Sequence, residues 1–199
     1  RSEKPYYTLG LKRCEEDLRD FKFTTSVSLV ELPVKHKIDA LPLVRNQLAI
    51  GSCASHVAIG AYETLLLNFK PYRFLEGSEL YHYYNVRHYI NDANDNDSGQ
   101  TIRDACKCLD KFHMATEYAW AYNLSKFNEK PSWAAYATSG AYKIKRYENL
   151  QTLENIKKSL IENNPVLVGI AANTELFQLN SSKYLYTGKG DYRGGHAVL

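Results

Sequence analysis

The sequence lacks several features, and each absence narrows its role. No stretch of the 199 residues approaches the roughly 18 to 20 consecutive apolar residues that a helical membrane span needs, and no cleavable signal stands at the N-terminus. No membrane role is expected. The chain begins at Arg1, so a leader removed by processing is compatible with it. A net charge of only +3, without a run of like charges or a basic cluster carrying interleaved aromatics, gives no support to nucleic-acid binding. Cysteine is scarce, at positions 14, 53, 106 and 108. Cys106 and Cys108 lie two apart in a helical run and point to different faces, so no disulfide framework is expected. With His113 they lack a fourth ligand at metal spacing, and the polar run Asn91 to Gly99 lacks the glycine and the terminal glutamate of a calcium loop. No metal and no cofactor is expected, and there is no internal repeat.

What remains is a composition of 44% hydrophobic and 24% charged residues, that of an ordinary globular protein of one or at most two compact domains. Its chemistry gathers around Gln47 to His56. Gly51 and Ser52 permit a sharp turn, and Val57, Ala61 and Leu65 then recur at helical spacing, which sets Cys53 at a helix N-terminus. Unpaired N–H groups and the positive end of the helix favour a thiolate there, and the thiolate is the nucleophile. Gln47, six residues upstream, is placed to offer its amide to an oxyanion together with the Cys53 N–H. A base stands about 140 residues later, in Gly194-Gly195-His196-Ala197-Val198. An early cysteine and a late histidine, adjacent only in the fold, form a catalytic pattern. His56, three residues past Cys53 on the same helix, is the weaker candidate for the base.

The spacing from Gln47 to Cys53, with the Gly-Gly-His-Ala-Val ending, resembles the papain-type, or cathepsin-like, cysteine peptidases of the C1 class. The resemblance implies an α+β fold of two lobes: an N-terminal helical lobe, a C-terminal antiparallel sheet or barrel, and an active-site cleft between them. It makes Gln47 the oxyanion amide, Cys53 the nucleophile and His196 the general base and acid. Ser98-Gly99 resembles the glycine-bearing strand that pairs with substrate backbone, and Gly51, Ser52, Gly195 and Ala197 join it as cleft-lining positions. Residues 1–32 read as an N-terminal arm or propeptide remnant, with an Asp-x-Arg-Asp-aromatic sequence at Asp17 to Phe21, and residues 33–199 as the catalytic domain. Three departures stand out. Ala54 replaces the tryptophan that often follows the nucleophile. Ile50 replaces a cysteine that secreted members pair elsewhere, which favours a reducing compartment. The asparagine or aspartate that orients the histidine has no counterpart, because the chain stops three residues after His196. A C-terminal segment or a second chain carrying that residue is therefore implied.

Along the chain, Ser78 reads as the N-cap of a helix from about 78 to 87, and Thr101 to Phe112 as a helix with Ile102, Ala105 and Leu109 on one face. Residues 113–133 read as an irregular connection, and Tyr142, Ile144 and Arg146 alternate as in a strand. Leu153 to Glu162 reads as an amphipathic helix and Pro165 to Ile170 as a buried strand. The expected function is hydrolysis of peptide or protein substrates by a thiol endopeptidase. The alternatives are an inactive papain-fold binding protein, or an acyl transferase that uses the same cysteine and histidine.

Overall fold

Cys53–Phe69 forms the central helix, α1, of the computed structural model, which describes residues 8–25, 32–91, 96–183 and 185–199. Small residues and aliphatics surround α1 on nearly every side, and even Ser55, Glu63 and Thr64 are buried, so it is packed on all faces. Helix α2 (Glu79–Asn85) is buried along its whole length and runs on into a wider turn at Val86–Ile90. Helix α3 (Ile102–Phe112) completes a trio in which each helix packs on the other two. Then follow α4 (Trp133–Ser139) and α5 (Leu153–Ile161). Four of these helices start at a hydroxyl that accepts a backbone N–H: Ser78 from Tyr81, Thr101 from Asp104, Ser132 from Ala135 and Thr152 from Asn155. Each such cap contributes about 1 kcal/mol.

The C-terminal part is a two-stranded antiparallel sheet of β1 (Val168–Asn173) and β2 (Tyr192–Val198), in register Ile170 to His196 and Ala171 to Gly195. Strand β2 packs on α1, and Ala197 enters the same core cluster as Cys53, Ala58, Leu109 and Met114. A second cluster gathers Ile50, Leu80, Tyr81, Tyr83, Trp120 and Ala135. His82 bridges the helices in neutral form. Its Nε2 donates to the Ala105 carbonyl (3.0 Å), its Nδ1 accepts from Ser55 (2.8 Å), and Gln100 donates to the same hydroxyl (2.7 Å). Burial pushes its pKa down to about 4, which keeps the ring neutral.

Three expectations are corrected. Tyr142 to Arg146 is not a strand: Tyr142 closes the turn after α4 through the Ser139 carbonyl, and its alternation reflects Tyr142 and Ile144 lying against the first core. The connection after α3 is irregular only to the residue before Trp133, where the Ser132 cap starts α4. The strand expected at Pro165 to Ile170 begins at Val168, and Val168, Gly169 and Ala171 are exposed, since one strand only covers it among the described residues. No barrel closes among those residues. The polar run around Asn91 to Gly99 lies partly outside them, at 92–95, and no grouping of possible metal ligands occurs in the rest.

Below α1, Arg45 pairs with two buried carboxylates, those of Glu63 and Glu79 (2.9 Å to Glu79), while Gly77 donates its N–H to Glu63 (2.7 Å). Burial, opposed in part by Arg45, pushes Glu79 up to about 7. The folded state therefore holds a proton that the unfolded chain releases near pH 4.5. This contribution is complete below that pH and is lost as pH rises through 7, with a slope of at most about 1.4 kcal/mol per pH unit. Glu79→Gln is expected to flatten the fall in stability between pH 4.5 and 7, as read by denaturant unfolding across that range.

Candidate active site

Gln47 to Ser52 forms the loop in front of α1. Leu48 adopts φ +57°, a left-handed conformation that costs a side-chain-bearing residue roughly 1 to 2 kcal/mol. The loop is braced to hold it. Tyr122 donates its hydroxyl to the Gln47 carbonyl (2.7 Å) and bonds the Ser52 hydroxyl (2.9 Å), and Leu48 donates to Asn46 Oδ1 (2.9 Å). Gln47 Nε2 folds back on its own loop to donate to the Ile50 carbonyl (2.9 Å). Arg45, fixed by its two glutamates, stands two residues before Gln47.

Cys53 is the first residue of α1 and is 1% exposed. Burial raises its thiol pKa, against the lowering influence of N–H groups from Ala197, Gly10, Ala54 and Cys53 itself that surround the sulfur. Thus the helix N-terminus favours the thiolate as expected from sequence, but burial prevails. The Ala197 N–H brings β2 to the sulfur, and His196 precedes it on that strand, paired with Ile170 of β1. Burial lowers the His196 pKa, and its Nδ1 is buried with no hydrogen-bond partner among the described residues. His56 is turned elsewhere: its Nδ1 meets the Ser52 carbonyl (3.1 Å) and hydroxyl (3.3 Å), and its ring stands edge-on to Tyr122 at 5.1 Å. Burial pushes His56 down to about 4.

Residues 8–12 of the chain's own arm lie against the loop before α1, Gln100 and strand β2. Thr8 accepts the second N–H of Gln47 Nε2 on its carbonyl (2.8 Å) and donates its hydroxyl to Ala49 (3.0 Å). Gln100 donates to the Gly10 carbonyl (2.9 Å) and accepts from Lys12 (2.9 Å), a parallel pairing centred on Leu11, while Leu11 donates to the Gly195 carbonyl (3.2 Å). The approach is too close for side chains. A Cβ on Gly10 would lie 2.0 Å from the Gly51 carbonyl oxygen, one on Gly99 2.1 Å from the Gly10 oxygen, and one on Gly195 2.5 Å from the Leu11 oxygen. Gly99 also has φ +64°. Farther along, Arg103 of α3 clamps the arm through Asp20 (2.8 and 2.5 Å) and the Glu15 carbonyl (2.8 Å). The arm then pairs with Asn149 on either side of Lys22.

Of the residues singled out from sequence, Gln47, Gly51, Cys53, Gly99 and Gly195 converge on arm residues 8–12, and Ala197 meets the Cys53 sulfur. Ser52 faces Tyr122 and His56, while the Ser98 hydroxyl donates to the Gly99 carbonyl (3.3 Å) and its N–H to the Asn96 carbonyl (2.8 Å). The pairing residue that sequence reasoning missed is Gln100, whose role is carried by its backbone and leaves no side-chain signature.

No protein-family model matches the chain. Over 178 residues it is 26% identical to an uncharacterised peptidase C1-like protein of Acanthamoeba polyphaga mimivirus, covering 81% of this chain and 57% of that one. The chain thus spans little more than half the length of this curated relative. Among solved structures it is similar to xylellain, a cysteine protease from Xylella fastidiosa, with a TM-score of 0.76 and 27% identity, covering 95% of this chain and 77% of the other. Procathepsin B S9 from Trypanosoma congolense superposes with a TM-score of 0.71 at 17% identity, covering 95% and 68%, a likeness of fold. The chain therefore carries the papain-like fold and resembles the papain-type cysteine peptidases.

A side chain at position 10 has no room against the Gly51 backbone. Gly10→Ala is expected to unseat residues 8–12 and so to speed hydrogen exchange at the Gln100 amide, whose acceptor is the Gly10 carbonyl. Unchanged protection there would mean that the slot yields to a methyl group.

Proposed function

We propose that this chain is the catalytic part of a papain-like cysteine peptidase that cleaves peptide or protein substrates through Cys53 and His196, and that residues 8–12 hold it latent. The carrying observation is the extended backbone lying in the cleft, bonded at once to Gln47, Gln100 and Gly195 beside Cys53. A surface that holds one peptide main chain by its N–H and C=O groups is suited to hold another.

With the arm displaced, the burial that favours the thiol is relieved, while the N–H groups of Ala54, Ala197 and Cys53 remain to favour the thiolate. The Cys53 sulfur attacks the substrate carbonyl carbon, and its proton passes to His196. The negative oxygen is held by the Cys53 N–H and by the Gln47 Nε2 hydrogen that Thr8 now occupies. His196 returns the proton to the leaving amine as the C–N bond breaks, leaving a thioester on Cys53. His196 then takes a proton from water, which attacks the thioester and restores the thiol. The arm itself presents the Gly10 N–H to the sulfur, a donor and not an electrophile, which supports its reading as an occupant that is not cleaved there.

The unpartnered His196 Nδ1 calls for an acceptor to fix the tautomer. We assign it to an asparagine or aspartate in a segment beyond Leu199 or in a second chain. The same orphan atom favours a second reading, a papain-fold binding protein without hydrolysis. An acyl transferase would use the same thioester with an amine acceptor in place of water. Fluorogenic peptides tested with and without reductant, and with added amine, separate the three.

Cys53→Ala is expected to abolish covalent labelling by a peptidyl epoxide or vinyl sulfone, and Gly10→Ala to accelerate it; undiminished labelling of Cys53→Ala would move the nucleophile elsewhere. Gln47→Ala is expected to lower turnover by on the order of 10²-fold, the usual loss on removing an oxyanion donor, measured as kcat on a fluorogenic peptide.

A further inference from the structure

The two walls of the slot around Gly10 come from different parts of the chain: Gly51 from the loop before α1, and Gly99 from the segment before α3. Neither wall bonds the other directly. What joins them is a short polar relay. The Asp97 carboxylate accepts the Gly51 N–H on both oxygens (2.9 and 3.0 Å). One of those oxygens also accepts the Tyr83 hydroxyl, and that hydroxyl in turn accepts the Gly99 N–H (3.1 Å). Tyr83 is fully buried on α2, its ring under the Arg87 guanidinium at 4.7 Å, so the relay hangs from a rigid post.

We infer that Asp97 and Tyr83 are positioning residues which set the spacing between the nucleophile loop and the substrate strand by hydrogen bonds alone. The inference rests on the peptidase reading for its consequence but not for its geometry. A covalent brace at residue 50, which the resemblance implies for secreted members, is absent because Ile50 is there, packed in the second core cluster. Three features favour a defined spacing over a generic loop contact. The carboxylate uses both oxygens on one backbone N–H, its second partner is a buried tyrosine, and the two amides joined through it belong to the glycines that both press on Gly10. A widened slot would carry Gln47 away from Gln100 and so separate the oxyanion donor from the strand that registers the substrate. It follows that the register of the cleft is insensitive to reductant.

The test compares the chain with Asp97→Ala, Asp97→Asn and Tyr83→Phe. Charge-assisted hydrogen bonds of this kind correspond to roughly 10- to 100-fold in local opening. Hydrogen exchange at the Gly51 amide is therefore expected to rise by about that factor in Asp97→Ala, and at the Gly99 amide in Tyr83→Phe, with α1 and α3 unchanged. Asp97→Asn, which keeps an acceptor, is expected to restore most of the protection. On a chain freed of its arm by Gly10→Ala, the same series is expected to lower the rate of Cys53 labelling by an epoxide in the same order, equally with and without reductant. Unchanged exchange at Gly51 and Gly99 overturns the inference. So does a uniform rise across the whole chain, or no recovery in Asp97→Asn. Absence of labelling in every variant would count against the peptidase reading, while the exchange pattern would still decide the role of Asp97.

Discussion

Three backbones pass through one point at Gly10. Gly51 and Gly99 both approach Gly10 more closely than a Cβ would allow, and the contacts tie the loop before α1, the segment before α3 and the arm into one arrangement. Much of the surrounding structure makes this crossing possible. Helix α1 is buried on all faces, so the loop before it cannot retreat. Tyr122 and the Arg45 carboxylate pairs fix the loop from below, and Asp97 and Tyr83 fix it to the strand from the side. The strained Leu48 is the conformational cost of turning the chain from Gln47 to Cys53 in so few residues.

How far the sequence carried depends on the range of the interaction concerned. The start of α1 at Cys53 and the cap at Ser78 were legible because each is decided within one helical turn. Gly51, Gly99 and Gly195 could be singled out as positions without a side chain, although their common reason, a chain passing between them, is visible only in three dimensions. Gln100 was missed because its contribution is a backbone amide and carbonyl, which every non-proline residue possesses. Asp97 was hidden in a polar run that reads as a solvated loop, and nothing in the sequence marks its carboxylate as the one that bonds Gly51. The alternation at Tyr142 to Arg146 misled because a strand is defined by its partner, and two side chains resting on a core produce the same period.

The buried charges show the same division. Arg45, Glu63 and Glu79 are far apart in sequence, and nothing local marks them as a cluster. Their burial beneath the loop leaves one cation facing two carboxylates, and the low dielectric resolves the imbalance by raising the pKa of Glu79. His56 and His82, whose rings lie near Cys53 in sequence or in space, are kept neutral by burial and committed to serine and carbonyl partners. The Nδ1 of His196, by contrast, is buried with no hydrogen-bond partner among the described residues.

The clamp between Arg103 and Asp20 has a consequence for how the occupied cleft responds to its surroundings. Because the segment in the cleft belongs to the same chain, its local concentration is fixed by the tether, on the order of millimolar for short flexible connections, and does not fall on dilution. Occupancy is then a first-order property of each molecule, the same in a crowded compartment as in a trace amount. A competitor for the cleft must outbid that fixed concentration, or something must remove the tether.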